Sequence, residues 1–456
     1  MATLLQQPNE FNLAVGPNVW VLDNLSSATN YILGIEIDGN IIATIKQTPN
    51  PSGVGIFEIS QILQSYLSGS FVETTQFAST TPGAAFKYRV RYGTQTGTSV
   101  PTWNGYSDYK IVINGYKNFN ELDWVNQDLY VPELVTDLCG PGQYQSCPVA
   151  RVNFLTTYPD VRNYTDTGDI YEKKVYLTDW HTLSWANFHQ DSFGTFSDVD
   201  NKSPWAVKFE FFDEDGILYE DFGYFLIDDN GMPIRTDCTS NDWLMTDSAL
   251  IGTIGVGPKN LIDAGFWPTT DPKYYRVTLW TKNCDTPTDC EDKVDVYDTS
   301  FCIWAAESFE VITDCSKFEP IQLSFMNEFG VRDYYTFTKR NTLTENITRN
   351  NFQRDAGTWS ASSFSIQPWE RGEQTFNTQV VTNMTVSTDW LTDDVSKWLE
   401  RLFVSPDVKI WYNDEWRAVT LTSTTYNEKT VARDNKMFRH ELSLQFSQNK
   451  RIQRGS

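Results

Sequence analysis

The sequence predicts a mainly β protein, built as tandem antiparallel β-sandwich domains with a few short helices. Three observations carry that prediction. Apolar and polar residues alternate with a period of two: Phe86, Tyr88, Val90 and Tyr92 on one side, Lys87, Arg89 and Arg91 on the other. Turn residues punctuate the apolar runs at short intervals, and several of the turns are pairs that tolerate positive φ. Only two stretches show the 3.6-residue period of an amphipathic helix. Many short strands separated by turns are the pattern of sandwiches and barrels.

Taken along the chain, Ile35-Glu36-Ile37 leads into Asp38-Gly39 and returns through Ile41 to Ile45, a hairpin signal, because a two-residue type I′ turn needs positive φ at both central positions. The first helix is expected at Ile59, Ile62, Leu63 and Tyr66, stopped by Gly69. Val207 to Phe212 runs toward Asp215-Gly216 and returns through Ile217-Leu218-Tyr219. Tyr224 to Ile227 leads to a further turn at Asp229-Asn230-Gly231. Ile321-Leu323-Phe325 opens another strand. The second helix carries Val395, Trp398, Leu399 and Leu402 on one face. Thr392 is placed to cap it, Asp393 and Asp394 suit its positive end, and Pro406 stops it. Val408 to Tyr412 turns at Asn413-Asp414 and returns through Trp416 to Leu421.

At 456 residues, a scale of roughly 150 residues per domain gives about three domains. The breaks in alternation place them at 1–118, an immunoglobulin- or fibronectin-like sandwich; 119–148, a linker containing LCGPGQYQSCP; 149–315, a second sandwich of jelly-roll or immunoglobulin-like type; and 316–456, a β-rich assembly domain with one helix near 392–403. The net charge is −23. Residues 401–456 hold 10 Lys/Arg against 6 Asp/Glu, a net +4, which leaves −27 on the remainder. Such a balance argues against coating nucleic acid, which needs a basic face to release counterions, and against docking on anionic lipid. No stretch approaches the roughly 18 apolar residues of a membrane-spanning helix, and the first residues lack the basic start and apolar core of a secretory signal. The chain is expected to be soluble, to start in the cytoplasm and to insert in no membrane.

Residues that would carry chemistry are sparse. There is no GxSxG, HExxH or P-loop. Three histidines, His181, His189 and His440, leave little for metal or triad chemistry. Asp198-Val199-Asp200-Asn201 starts like a calcium loop, but Lys202 and Ser203 follow where ligands and glycine belong. Asp213-Glu214-Asp215 and Asp228-Asp229 sit at expected hairpin tips, where Asp is favoured for turn geometry alone. Gly53-Val54-Gly55 lacks the third glycine of a dinucleotide loop. The cysteines, Cys139, Cys147, Cys238, Cys284, Cys290, Cys302 and Cys315, form no CxxC pair. They read as reduced thiols, with Cys284–Cys290 the one short loop a disulfide would close. The expectation is a non-enzyme with no catalytic residue, no cofactor and no metal. Aromatics are more prominent: Tyr334-Tyr335-Thr336-Phe337, Trp369, Trp390, Trp398, Trp411 and Trp416 crowd the last part of the chain, most as core and some as candidates for exposed contacts.

Several patches resemble virion structural proteins of tailed bacteriophages, including the crAss-like phages of Bacteroidetes. They are Asn30-Tyr31-Ile32-Leu33 with Pro49 to Ser60; Tyr176 to Trp185 with Val207 to Gly216; Ser324 to Phe337; and Leu402 to Val408 with Tyr426 to Thr430. The resemblance covers about a third of the chain and carries over no catalytic or binding residue. It implies a tail or neck ring or collar protein, a portal–tail connector. Its partners would be copies of itself and neighbouring tail, neck or portal proteins, with DNA passing through without specific binding. It implies assembly in the host bacterial cytoplasm and residence in the virion. Two alternatives stand beside it: a carbohydrate-binding receptor-recognition or adhesin protein, and a β-sandwich glycoside hydrolase.

Overall fold

A computed structural model describes residues 2–8, 11–24, 30–68, 78–80, 83–116, 135–136, 151–152, 154–156, 158, 173–186, 206–225, 251–282, 301–313, 317–353, 355–369, 372–423 and 439–448. The described residues are mostly strand, in antiparallel and mixed sheets, with three short helices. Contacts divide the chain into two compact units. The first is Met1–Asp314 with Met326–Tyr334; the second is Cys315–Phe325 with Tyr335–Ser456.

In the first unit, a three-stranded sheet, β1 (Thr3–Gln6), β3 (Val19–Asp23) and β6 (Gly55–Glu58), faces a larger one. The larger sheet runs β2 (Phe11–Val15), β10 (Lys110–Tyr116), β8 (Ala85–Gln95), β4 (Asn30–Ile37), β5 (Asn40–Gln47), with β9 (Thr102–Tyr106) also on β8. The alternation of β8 decides its two faces. Phe86, Tyr88 and Val90 turn inward with Trp20, Leu22, Tyr31, Leu33 and Ile35 into one apolar core, closed by α1 (Ser60–Gln64) through Ile59 and Leu63. The β4–β5 turn has φ of 49° at Asp38 and 76° at Gly39, as the type I′ reading requires. Helix α1 is shorter than the expected Ile59–Tyr66 stretch. Glu58 Oε1 accepts the Ser60 N–H at its start, and Ser65 closes it without a glycine; Gly69 lies outside the described residues.

A second pair of sheets follows. One runs β13 (Lys173–Tyr176), β19 (Phe301–Ile312), β18 (Tyr274–Lys282), β15 (Ala206–Phe212), β16 (Leu218–Phe225). The other is β14 (Thr182–Ala186), β17 (Ile251–Gly255) and β7 (Ala78–Thr80). Phe209, Phe211, Tyr275, Phe309, Trp185 and Ile254 are buried between them. Strand β16 is continuous from Leu218 to Phe225, so the sequence's two runs there are one strand; the Asp229-Asn230-Gly231 turn lies outside the described residues. A short pair, β11 (Val135–Thr136) and β12 (Arg151–Val152), completes this unit's sheets. Contacts group residues of the 149–315 region with those of the 1–118 region in the first unit. Strand β7 pairs with β17, Thr80 opposite Gly252 and Ala78 opposite Ile254, and Leu13, Ala85, Ile111 and Ile113 from the outer face of the first large sheet join the core around Phe209.

Helix α2 (Pro258–Ala264) is a third helix beyond the two expected. Proline at its first position and Gly265 at φ 77° just past its end are the standard start and stop signals. Seven residues are too few for the apolar period to show.

The second unit holds a seven-stranded sheet in the order β21 (Arg332–Phe337), β20 (Ile321–Met326), β26 (Val408–Trp411), β27 (Trp416–Leu421), β28 (Glu441–Phe446), β25 (Glu373–Ser387), β22 (Thr342–Gln353). The β26–β27 turn has φ of 53° and 57° at Asn413 and Asp414. Helix α3 (Asp393–Val404) covers the sheet as the sequence predicts. Thr392 accepts the Val395 N–H, and Trp398, Leu399 and Leu402 are buried, with the Trp398 ring 5.4 Å from Phe325. A separate hairpin, β23 (Thr358–Ser360) with β24 (Ser363–Ser365), lies between β22 and β25 in the chain.

Candidate interaction surfaces

Of the acidic motifs read from the sequence, Asp213-Glu214-Asp215 resolves into turn chemistry. Asp213 Oδ1 accepts the N–H groups of Asp215 (3.0 Å) and Ile217 (2.8 Å), so it shapes the β15–β16 turn. Gly53 takes φ 84°; Asn50 Oδ1 accepts from Ser52 and Val54, and the Tyr31 hydroxyl donates to the Gly53 carbonyl at 2.7 Å. That loop is held by its own side chains. Asp198–Asn201, Asp228-Asp229 and His189 lie outside the described residues, as do the cysteines other than Cys302, and nothing is described of the Cys302 side chain. Among the described residues, no group of three His, Cys, Asp or Glu is placed to hold a metal, and no helix is long and apolar enough to cross a membrane.

Three features remain. The first is a buried polar cluster in the first unit. Lys173 Nζ lies 3.3 Å from His181 Nε2 and 4.7 Å over the Tyr158 ring. The lysine donates, so the His181 ring is neutral with its proton on Nδ1. Burial, reinforced by the Lys173 charge, pushes the His181 pKa well below its ordinary 6.5. His181 packs edge-on against Phe309 and Tyr334, and its N–H donates to Asn260 at the start of α2. Thr182 bonds Tyr334, and Thr156 donates to Asp333. The cluster ties β13, β14 and α2 to the Met326–Tyr334 segment, and it is closed to solvent.

The second is the solvent-facing row of β8. Its members alternate cation and ring. Lys87 lies 4.9 Å from the Tyr109 centroid; Arg89 is 5.0 Å from Tyr109 and 4.3 Å from Tyr106; Arg91 is 5.0 Å from Tyr106 and 4.9 Å from Trp103. Glu36 on β4 takes the Arg89 Nε at 2.6 Å and pairs with one of its Nη atoms, and this bond holds the guanidinium pKa above its ordinary value. Gly34 gives Trp103 its seat on β4: a Cβ there would lie 2.9 Å from the indole ring. The alternation was legible in the sequence; the rings that interleave with it arrive from β9 and the loop after it.

The third is an arm on the second unit. Strand β28 pairs with β25 only over Asn383–Ser387, while β22 pairs with β25 from Thr342↔Thr385 out to Gln353↔Glu373. The outer part is thus a two-stranded ribbon, and all twelve β22 residues are exposed. Leu343, Ile347, Phe352 and Phe376 are exposed along it, and Trp359, Phe364, Ile366 and Trp369 are exposed between its strands in the chain. Of the aromatics marked from sequence, Tyr334, Phe337 and Trp398 are buried and Trp411 and Trp416 meet edge to face with centroids 5.4 Å apart, whereas Trp369 (77 % exposed) and Trp390 (58 %) face solvent.

No known protein family matches the sequence, and no curated protein matches it. Among solved structures, similarity extends to the crystal structure of a tetra-tandem repeat in the extending region of a large adhesion protein. It is 7 % identical, covers 85 % of this chain and 69 % of that one, and has a TM-score of 0.18. A likeness at that score carries no argument about fold or function.

Proposed function

We propose that this is a non-enzymatic structural protein of a bacteriophage tail or neck, which forms a homo-oligomeric ring or collar through which DNA passes and to which other tail proteins attach. The observation that supports it best is the β22–β25 arm. A two-stranded ribbon is marginal by itself in water, and a row of exposed Leu, Ile, Phe and Trp is a surface that association would bury. The arm is also nearly neutral: residues 342–387 hold 4 Asp/Glu and 3 Arg, so it approaches another copy of a −23 chain without the repulsion that the average surface would meet. Heterologous contacts of this kind close into rings when the rotation permits. The acidic bulk suits a channel that passes DNA without gripping it.

The test is native mass spectrometry and negative-stain imaging of the full chain, beside a variant carrying Leu343→Ser, Ile347→Ser and Phe376→Ser. Closed rings for the native chain and monomers for the variant are expected. A native chain that stays monomeric at tens of micromolar would remove the reading. Trp359 and Trp369, with their exposed rings, favour a second reading as sugar-stacking platforms of a receptor-binding or adhesin protein. Binding on a glycan array that is lost with Trp369→Ala is its signature.

A further inference from the structure

We propose that the Lys87–Arg89–Arg91 row with Tyr109, Tyr106 and Trp103 is a docking site for an extended acidic peptide segment of a partner protein, one whose carboxylates fall on alternate residues. This stands apart from the tail reading and rests on different residues.

The spacing comes from the strand. Cations at 87, 89 and 91 share one face of β8 and repeat roughly every 6.6 Å, two residues of extended chain. An extended ligand with Asp or Glu at alternate positions presents its carboxylates at the same repeat. Each guanidinium carbon lies within 5.0 Å of two ring centroids, and a guanidinium's planar N–H fork is the geometry carboxylates bind. Glu36 neutralises Arg89, whereas Arg91 makes no ion pair among the described residues. Tyr106 and Tyr109 remain 46 % and 45 % exposed, so the row is open to a partner. Farther along the same face of the sheet, Ala85, Ile111 and Ile113 are buried in the core, so the cationic row is the part of this face left to solvent.

Charge favours a short peptide over nucleic acid. A segment of three or four carboxylates senses the row within about 8 Å, the screening length near physiological salt. A long polyphosphate also meets the rest of a −23 chain and is repelled by it. Asp108, exposed in the loop between the two tyrosines, selects further against a dense polyanion.

The experiment uses the full chain and a fluorescein-labelled peptide of alternating Asp and Ser, read by anisotropy. A Ser/Gly peptide and an oligo-dT of equal length are the comparisons. The test variant is Lys87→Gln with Arg91→Gln, which leaves the Arg89–Glu36 pair in place. A second variant, Tyr106→Leu, removes a ring and no charge, and thermal melts establish that both fold. Expected are saturable binding of the Asp/Ser peptide, at least tenfold weaker binding by the charge variant, weaker binding by Tyr106→Leu, and loss as salt is raised from 50 to 300 mM. No peptide binding, equal binding by the folded charge variant, or tighter binding of oligo-dT than of the peptide would each overturn the proposal.

Discussion

His181 shows how a single buried side chain links environment to behaviour. Its folded pKa is pushed well below 6.5 by burial first and the Lys173 charge second. Below pH 6.5 the unfolded chain protonates this histidine and the folded chain does not, so the unfolded state binds more protons. The contribution is therefore fully present above about 6.5 and is lost as pH falls from there toward the folded value. Urea midpoints should drop between pH 7.5 and 5.5, and His181→Gln, which accepts from Lys173 without titrating, should reduce that drop; an undiminished drop would place its origin elsewhere. Phe209, fully buried and stacked 4.8 Å from Phe222, makes a second case. Phe209→Ala should cost about 3–5 kcal/mol by removing a large ring from a core that cannot collapse onto it, measured by the same titrations. Gly34→Val should displace Trp103 from β4, seen as a shift of the indole resonance in NMR.

At the scale of elements, the features set by adjacent residues behave as the sequence predicts. The Asp38-Gly39 and Asn413-Asp414 turns and the Thr392 cap of α3 each depend on a few neighbouring residues. Thr392→Ala should destabilise the second unit by about 0.5–1 kcal/mol, the low end for a cap that faces solvent, with little change in the first unit's unfolding. The arm is different. Strand β22 is an edge strand, so half of its N–H groups point away from β25. In hydrogen-exchange mass spectrometry its amides should exchange quickly in dilute monomer and become protected on self-association; protection independent of concentration would argue that the arm has no partner copy. Helix α2 was missed because its evidence lay in its Pro258 and Gly265 boundaries while its seven residues show no period.

For the whole molecule, charge distribution is the quantity that bears on assembly. Under the proposed tail or neck role, a basic C-terminal segment docked on an acidic neighbour predicts that deleting Asn449–Ser456 lowers incorporation of the protein into virions, and a chain incorporated normally without it would contradict that docking. Self-association through the neutral arm should survive high salt, because it depends on apolar burial, whereas peptide binding at the β8 row should not. These opposite salt responses separate the two surfaces in one preparation.

The sequence alone determined the β class, the inward and outward faces of β8, the tight turns and helix α3, because periodicity and φ preference are properties of residues a few places apart. Even the cations of the β8 row stood plainly in its alternation. Only the tertiary structure decided what each face meets. Ala85 is buried and Arg91 only half-buried on the same face of one strand, because Ile113 of β10 lies opposite the first and β9, with Tyr106 and Trp103, lies against the second. Strand β7 belongs to a sheet whose other members begin about a hundred residues later. Ile347 is exposed because β28 pairs with β25 only as far out as Asn383. Burial is set by long-range packing, and no local pattern records how far a neighbouring strand extends.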